Sequence, residues 1–490
     1  MKAQELIESL GICYLSSNLE DFEVGGVSCN SKQISNNFIF VAIKGTHIDG
    51  HEFIQEAIDK GAKAVIVQNS TNSKRLKNLK RASLIVVKDT RKSIANLAAK
   101  FYGNPSSKIK VVGITGTNGK TTITYLIEAL LKEAGFLPAV IGTVNYRFKD
   151  KIIPSKNTTP GPVELQSLLA DMLKGNISHA ILEVSSHALS QERTEGIDFH
   201  SAIFTNLTQD HLDYHKTLED YFQAKAKLFK GLHQGSFAVI NNDDKCCRRL
   251  KELIQGPEII TYAIDNEADI TVKDIKFDIS HTEFILRAIK KEIGFKVRFL
   301  GRHNIYNILA SFAWAFKEGL DEAVIKSALE RFSFIPGRLE RINCRRDFSV
   351  FVDYAHTEDA LTNAIGALRQ ISGSKIIVVF GCGGERDKTK RPKMGYSASE
   401  LADYVIITSD NPRSEDPQKI IEDIRKGIRK NNYCIISDRK DAIEKSLSMA
   451  GAGDIVLIAG KGHENYQILK DKTIHFNDRE AVKECLESMN

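Results

Sequence analysis

An α/β fold built from several domains is predicted by three observations. Apolar, β-branched runs alternate with amphipathic helical stretches along most of the chain, the pattern of βαβ units and mostly parallel sheets. A glycine-rich turn, Gly113-Ile114-Thr115-Gly116-Thr117-Asn118-Gly119-Lys120-Thr121-Thr122, joins one such strand to one such helix. A chain of 490 residues also exceeds what one core buries, so about two to four domains are expected.

Residues 1–104 read as a small α/β domain. Phe38–Ile43 and Ala64–Val67 are its strands, with a helical stretch from Gly50 to Lys60 between them. The polar, glycine-bearing segments at 29–32 and 45–50 read as loops, and Pro105-Ser106-Ser107 as a linker.

Residues 105–335 hold the glycine-rich turn. Ile109, Val111, Val112 and Ile114 make a buried strand, and Leu126, Leu130 and Ala134 mark one face of a helix that Gly135 ends. Backbone N–H groups at the helix N-terminus would face an anion, Lys120 would reach the outer phosphates of a nucleotide, and the Thr121 hydroxyl suits Mg²⁺. The glycines at 113, 116 and 119 depart from the common G-x-x-x-x-G-K-T spacing. A tight turn with an incidental lysine is the simpler reading, but the flanking strand and helix favour a phosphate cradle.

Further along, His179–Val184 carries Glu183 near its carboxyl end, and Ser201–Thr205 runs into the loop of Asp210 and His211. Ligands of open α/β sheets collect at strand carboxyl ends, so Glu183 and His211 are expected on the rim of Lys120. Beside a phosphate site, Glu183 reads as a Mg²⁺ ligand more readily than as a strand-edge salt bridge. On the helix of residues 221–229, Lys225 falls within the stripe of Tyr221, Phe222, Leu228 and Phe229, and Lys227 on the far side. A bare ammonium there is costly, so Lys225 either snorkels to the surface or is functional or modified.

Residues 336–490 repeat the α/β pattern. Ser349–Asp353, Lys375–Phe380, Tyr404–Thr408 and Asp454–Ala459 are four strands, each ending in a polar loop. Those loops, 353–356, 381–386, 410–413 and 460–464, form a second rim suited to a ligand.

Composition narrows the function classes. Hydrophobic residues are 42% and charged residues 27% of an ordinary globular mixture, and the net charge of +6 is spread along the chain. The densest basic stretch, Lys74–Arg81, lacks interleaved aromatic residues and reads as a solvated helix face, so no nucleic-acid partner is expected. The eight cysteines show no C-x-x-C pair or metal-ligand spacing, which fits free thiols in a reducing cytoplasm. Neither a signal peptide nor a run of membrane-spanning length is read, so membrane insertion is not expected.

Taken together, several motifs resemble one family. The phosphate turn, Asn157-Thr158-Thr159-Pro160, Glu183-Val184-Ser185-Ser186-His187, Asp210-His211-Leu212-Asp213-Tyr214-His215, Gly301-Arg302-His303-Asn304 and Gly337-Arg338 look like the Mur ligases. Gly381 to Lys388, the Asp410–Arg413 loop and Gly460 to Glu464 resemble the members that attach meso-diaminopimelate. The likeness runs in order over essentially the whole chain. It implies a UDP-muramyl substrate domain at 1–104, a central P-loop ATP-binding domain at 105–335 and a C-terminal Rossmann-like amino-acid domain at 336–490.

By motif, Cys29, Ser31, Thr46, His47 and Ile48 would contact the UDP end of the substrate. Asn157, Thr158, Thr159, Ser185, Gln191 and Arg193 would contact its muramyl peptide. Gly116, Thr117, Asn118, Gly119, Lys120, Thr121 and Thr122 would hold the ATP phosphates, with Asn304, Arg338 and Asp353 at the adenine, phosphates or ribose. Arg386, Asp410, Asn411, Pro412, Arg413, Gly460 and Glu464 would form the diaminopimelate pocket. Lys225 matches a lysine that the family carries as an N-carbamate, which would join Thr121, Glu183 and His211 in holding Mg²⁺.

The implied reaction is ATP-dependent amide formation on UDP-N-acetylmuramoyl-L-alanyl-D-glutamate through an acyl phosphate, by a cytoplasmic monomer making peptidoglycan precursors. Lysine-adding relatives generally lack the arginine at position 413, which argues against L-lysine as the added amino acid. The complete first domain argues against a folylpolyglutamate synthase. The charged loops of the third domain are superfluous for a P-loop switch without ligase chemistry.

Overall fold

The computed structural model describes residues 1–8, 10–16, 21–45, 48–69, 79, 81–288 and 291–489. Most of the basic stretch at 74–81, and with it the helix face read there, lies outside the described residues.

The chain forms three main sheets. The first has five strands in the order Ile12–Leu15, Ser83–Val87, Ala62–Gln68, Phe38–Val41, Gly26–Ser28, and only the first of these runs antiparallel to its neighbour. The segment at 105–107 is less slack than a linker: it forms a 3-10 turn in which Pro105 and Ser106 are buried, and the Asp198 N–H donates to Ser106 Oγ at 3.0 Å.

The second sheet has eleven strands. Its parallel centre places Lys110–Thr115 between His179–Glu183 and Phe199–Phe204, with Pro138–Ile141, Phe237–Asn241 and Glu258–Tyr262 further out. Strands near both edges run antiparallel: Asn145–Phe148 and Lys151–Pro154 on one side, the meander of Ile270–Phe277, Thr282–Ala288 and Lys291–Val297 on the other. The meander alternates buried and open positions along Thr282–Ala288, as a sheet with one wet face requires.

Strand Lys110–Thr115 is covered on both faces, which is why it is an unbroken apolar run. Val112 and Ile114 pack with Leu126 and Leu130 of helix Lys120–Glu133 and with Ile308 of helix Arg302–Glu318. Val111 packs in the opposite layer with Phe199, Leu228 and Phe229. Gly113 belongs to this packing: a Cβ there would come within 2.8 Å of the Phe199 ring. The unusual first glycine therefore serves a sheet contact, and the phosphate turn proper begins at Gly116.

The third sheet has six strands in the order Glu340–Ile342, Ser349–Asp353, Ile455–Ala459, Ile376–Phe380, Tyr404–Ile407, Tyr433–Ile435. All but the first are parallel, so the carboxyl ends of the four strands read from sequence share one rim. No helix among the described residues is long and apolar enough to cross a membrane.

Candidate active site

The turn after Thr115 is glycine-bound for steric reasons. A Cβ on Gly116 (φ +150°) would lie 1.7 Å from Thr205 Oγ1, and one on Gly119 (φ +89°) would lie 2.4 Å from Asn307 Oδ1. Helix Lys120–Glu133 starts there with its first N–H groups directed at the turn. Lys120 Nζ donates to the carbonyls of Gly116 and Thr117, each at 2.8 Å, so the ammonium is held over the loop. Burial draws its pKa below the usual lysine value, against the opposing pull of Glu183 and Asp210.

Glu183 is 1% exposed, and its carboxylate is held by two hydroxyls and a backbone N–H. Thr121 Oγ1 and Thr143 Oγ1 donate to Oε2 at 3.0 and 2.9 Å, and the Thr143 N–H donates to Oε1 at 3.0 Å. Thr121 and Glu183 thus offer adjoining hard oxygen donors, the chemistry Mg²⁺ prefers. Among the described residues no group of three His, Cys, Asp or Glu could by itself hold a metal ion. His211, in the left-handed region (φ 55°), stands 3.3 Å from Asp210, and burial pushes its pKa down to about 3, which keeps the imidazole neutral.

Lys225 lies on helix Leu218–Lys230 and is 2% exposed. Its Nζ sits 4.3 Å from the centroid of the Tyr221 ring and makes no ion pair or hydrogen bond among the described residues. Burial, aided by the charge of Lys120, lowers its pKa well below the usual value. Lys227, two residues on, is half-exposed and paired with Glu192.

One cavity of about 410 Å³ lies between the rims of the second and third sheets. Thr117 to Thr121, Asn157, Thr158, Glu183, Ser185 and His211 line it from one side. Arg338, Arg386, Asp410, Asn411, Arg413, Gly460 and Glu464 line it from the other. Among the contacts that hold the rims together, Asn118 Nδ2 donates to Asp359 at 2.6 Å, Arg338 Nη2 to Thr121 Oγ1 at 3.4 Å and Lys393 Nζ to Gln209 Oε1 at 2.7 Å. A second cavity, of about 370 Å³, opens from the same loop and is lined by Asn118, Gly119, Thr122, Asn304, Arg338 and Asp353. Asp353 accepts the N–H groups of Leu339 and Ala355 at 2.6 and 2.7 Å, and burial raises its pKa.

Several expected contact residues lie away from the first cavity. Thr159 is fully buried, its hydroxyl donating to the Glu183 carbonyl at 2.7 Å and accepting the Ser185 N–H at 3.0 Å. Arg193 Nη1 donates to the Thr159 carbonyl at 3.0 Å, and Nε to Gln191 Oε1 at 3.0 Å. These three brace the segment beneath Asn157 and Thr158. Pro412 packs its carbonyl on Gly384 and does not line the cavity. In the first sheet's unit, Cys29 is exposed, Ser31 Oγ donates to Glu56 at 2.9 Å and Ile48 is 63% exposed. Thr46 and His47 lie outside the described residues.

The structure adds residues that pattern reading missed. Lys461 is fully buried, its Nζ 3.2 Å from Glu464, 3.2 Å from Asn411 and 3.5 Å from Asp410. The Tyr354 ring lies 4.9 Å from that of His463, tilted by 40°, and under the Arg338 guanidinium. Lys461 and His463 sit in a loop already singled out, and a lysine between two glycines at a strand end is the signal. Asp359 and Thr143 carry no local signal.

Comparison with known proteins agrees with this geometry. Family models match in order: the Mur ligase family catalytic domain at residues 23–102, the Mur ligase middle domain at 114–315 and the Mur ligase glutamate ligase domain at 337–462. The chain is 43% identical, over all of both chains, to a UDP-N-acetylmuramoyl-L-alanyl-D-glutamate–2,6-diaminopimelate ligase of Clostridium acetobutylicum. A solved structure of a ligase of that name is 32% identical, with a TM-score of 0.69 over 100% of this chain and 99% of that one. A MurF ligase of Thermotoga maritima in complex with ADP shares the fold, with a TM-score of 0.65 at 22% identity over 95% of this chain and 98% of that one. Full-length identity and three family domains in order make the same statement as the paired rims: the chain belongs to the Mur ligase family.

Proposed function

We propose that the protein is the ATP-dependent ligase that joins meso-diaminopimelate to UDP-N-acetylmuramoyl-L-alanyl-D-glutamate, making a peptidoglycan precursor. The observation that carries this reading is the single cavity in which Lys120 and Glu183 face Arg386, Arg413 and Glu464. A phosphate cradle and a pocket of opposite charges for a zwitterion need a common space only if both ligands react together. The full-length relative from Clostridium acetobutylicum bears the corresponding name.

In this mechanism the substrate carboxylate attacks the γ-phosphate of ATP, and ADP leaves. The amine of the incoming amino acid then attacks the carbonyl of the acyl phosphate, and phosphate leaves. Both partners of the first step are anions, so neutralising charge is the main catalytic task. Lys120 does so at the outer phosphates, while the helix N-terminus and the N–H groups of the loop hold the inner ones. Thr121, Glu183 and His211 would hold Mg²⁺, which would supply further positive charge to offset that of the two anions. Lys225 would complete that set as a carbamate, for which a buried, neutral amine is the required starting form. Asn304 and Asp353 line the space for the nucleoside, Asn157, Thr158 and Ser185 the approach of the muramyl peptide, and Cys29, Ser31 and Ile48 would meet its UDP end. A cytoplasmic monomer suffices for this chemistry.

Release of ADP measured with and without each substrate tests the reading. Turnover should require both the UDP-muramyl dipeptide and meso-diaminopimelate, with L-lysine a poor replacement. ADP release independent of either substrate would refute it.

A further inference from the structure

Two loops carry the guanidiniums at the amino-acid end of the cavity, 383–388 with Arg386 and 410–415 with Arg413. Each contains a non-glycine residue in the left-handed region, Glu385 (φ 53°) and Arg413 (φ 53°). Such backbones persist only where the surroundings over-determine them. Here the surroundings centre on one ion pair. Arg391, on helix Lys390–Leu401, is 1% exposed and places both terminal nitrogens on the Glu415 carboxylate at 3.0–3.1 Å. It also reaches Asp423 at 3.1 Å and the Gly383 carbonyl at 3.4 Å. Glu415 in turn accepts the N–H of the strained Glu385 and lies 3.3 Å from Lys388.

Arg413 closes the circuit from the other loop. Its Nη1 donates to the Gly384 carbonyl at 2.7 Å, and its N–H to Ile468 at 3.1 Å. The loops touch without spare room, since a Cβ on Gly384 would fall 2.0 Å from the Pro412 carbonyl. Neither Arg391 nor Glu415 lines the cavity.

We propose that the Arg391–Glu415 pair is the positioning element for amino-acid selectivity: it clamps the two loops so that Arg386 and Arg413 stand at a fixed spacing. The inference rests on the ligase reading above. A pocket that selects a second carboxylate needs its guanidiniums preorganised, because a planar fork rewards alignment that a mobile loop cannot keep.

The test compares wild type with Glu415→Gln, which keeps the side-chain volume and removes the charge. Steady-state kinetics with meso-diaminopimelate, L-lysine and ATP are the readout. The expected result is a roughly tenfold rise in KM for meso-diaminopimelate and a matching loss of preference over L-lysine, with KM for ATP and kcat nearly unchanged. Gly384→Ala provides a second arm, since it parts the loops sterically without touching a charge, and should give the same split. A folded Glu415→Gln or Gly384→Ala protein with wild-type KM and selectivity overturns the clamp. So does an equal loss toward ATP and the amino acid, which marks a merely structural role. If Glu415→Gln does not fold, Arg391→Lys, which keeps the charge and loses the two-nitrogen grip on Glu415, decides in its place. Wild type preferring L-lysine would instead refute the ligase reading, and the clamp with it.

Discussion

The Asn118 side-chain amide donates to the Asp359 carboxylate at 2.6 Å, tying the phosphate loop to the first turn of helix Glu358–Ile371 in the third sheet's unit. Both backbone groups of Asn118 are already held, its N–H by Asn206 and its carbonyl by Thr205. Its side chain is therefore aimed across the gap. Asp359→Ala should lower kcat/KM for ATP about tenfold, the scale of a lost hydrogen bond to a charged group. An unchanged ATP profile in a folded variant would count against the contact.

Lys120→Ala should abolish turnover and leave the fold intact. The side chain folds back over its own loop, so its removal empties no core. Circular dichroism and thermal melting check the fold, and ADP release the activity. Near wild-type turnover would remove Lys120 from the mechanism.

Lys225→Ala should be nearly inactive and partly restored by a short carboxylate such as acetate. A direct readout is carbon-13 NMR of protein equilibrated with labelled bicarbonate, where a carbamate resonance should appear in wild type and vanish in Lys225→Ala. Lys227→Ala should keep both the resonance and the activity, because its side chain is half-exposed and paired with Glu192. Absence of the resonance from active wild type would rule out the modification.

Arg413→Ala should cut kcat/KM for meso-diaminopimelate by about 30-fold or more, since losing one partner of a partly buried charge pair costs roughly 2–5 kcal/mol. Arg413 lines the cavity, and its side-chain bonds to the carbonyls of Gly384 and Asn411 both use Nη1. Competition with L-lysine is the measurement, and full retention of selectivity would contradict this role.

Glu318 is nearly buried among His179, His200 and Lys110, and these hydrogen bonds, outweighing burial, hold its carboxyl well below the usual range. A depressed carboxyl contributes stability that is full above its unfolded value and lost as pH falls toward the folded one. Glu318→Gln should therefore melt lower than wild type near pH 7, with the gap closing below about pH 4. A gap independent of pH would assign the loss to packing.

Local pattern was enough to determine the strand–turn–helix around Lys120, the four apolar strands of the third sheet and the polar loops at their ends. Each depends on residues within a few positions of one another: β-branched runs, glycines at forced turns, and helical stripes such as the one containing Lys225. The motifs also carried the likeness to the Mur ligases. What only the tertiary structure decided depends on segments far apart in the chain. Gly113 is explained by the Phe199 ring, and one of the two hydroxyls that steady Glu183 comes from Thr143. Thr159, Gln191 and Arg193 brace from behind the cavity. The antiparallel wings, Lys461 between Asp410 and Glu464, and the clamp of Arg391 on Glu415 are of the same kind. Periodicity states which side chains are buried, whereas a partner is chosen by how sheets and helices pack. That choice arises when the two rims are brought face to face.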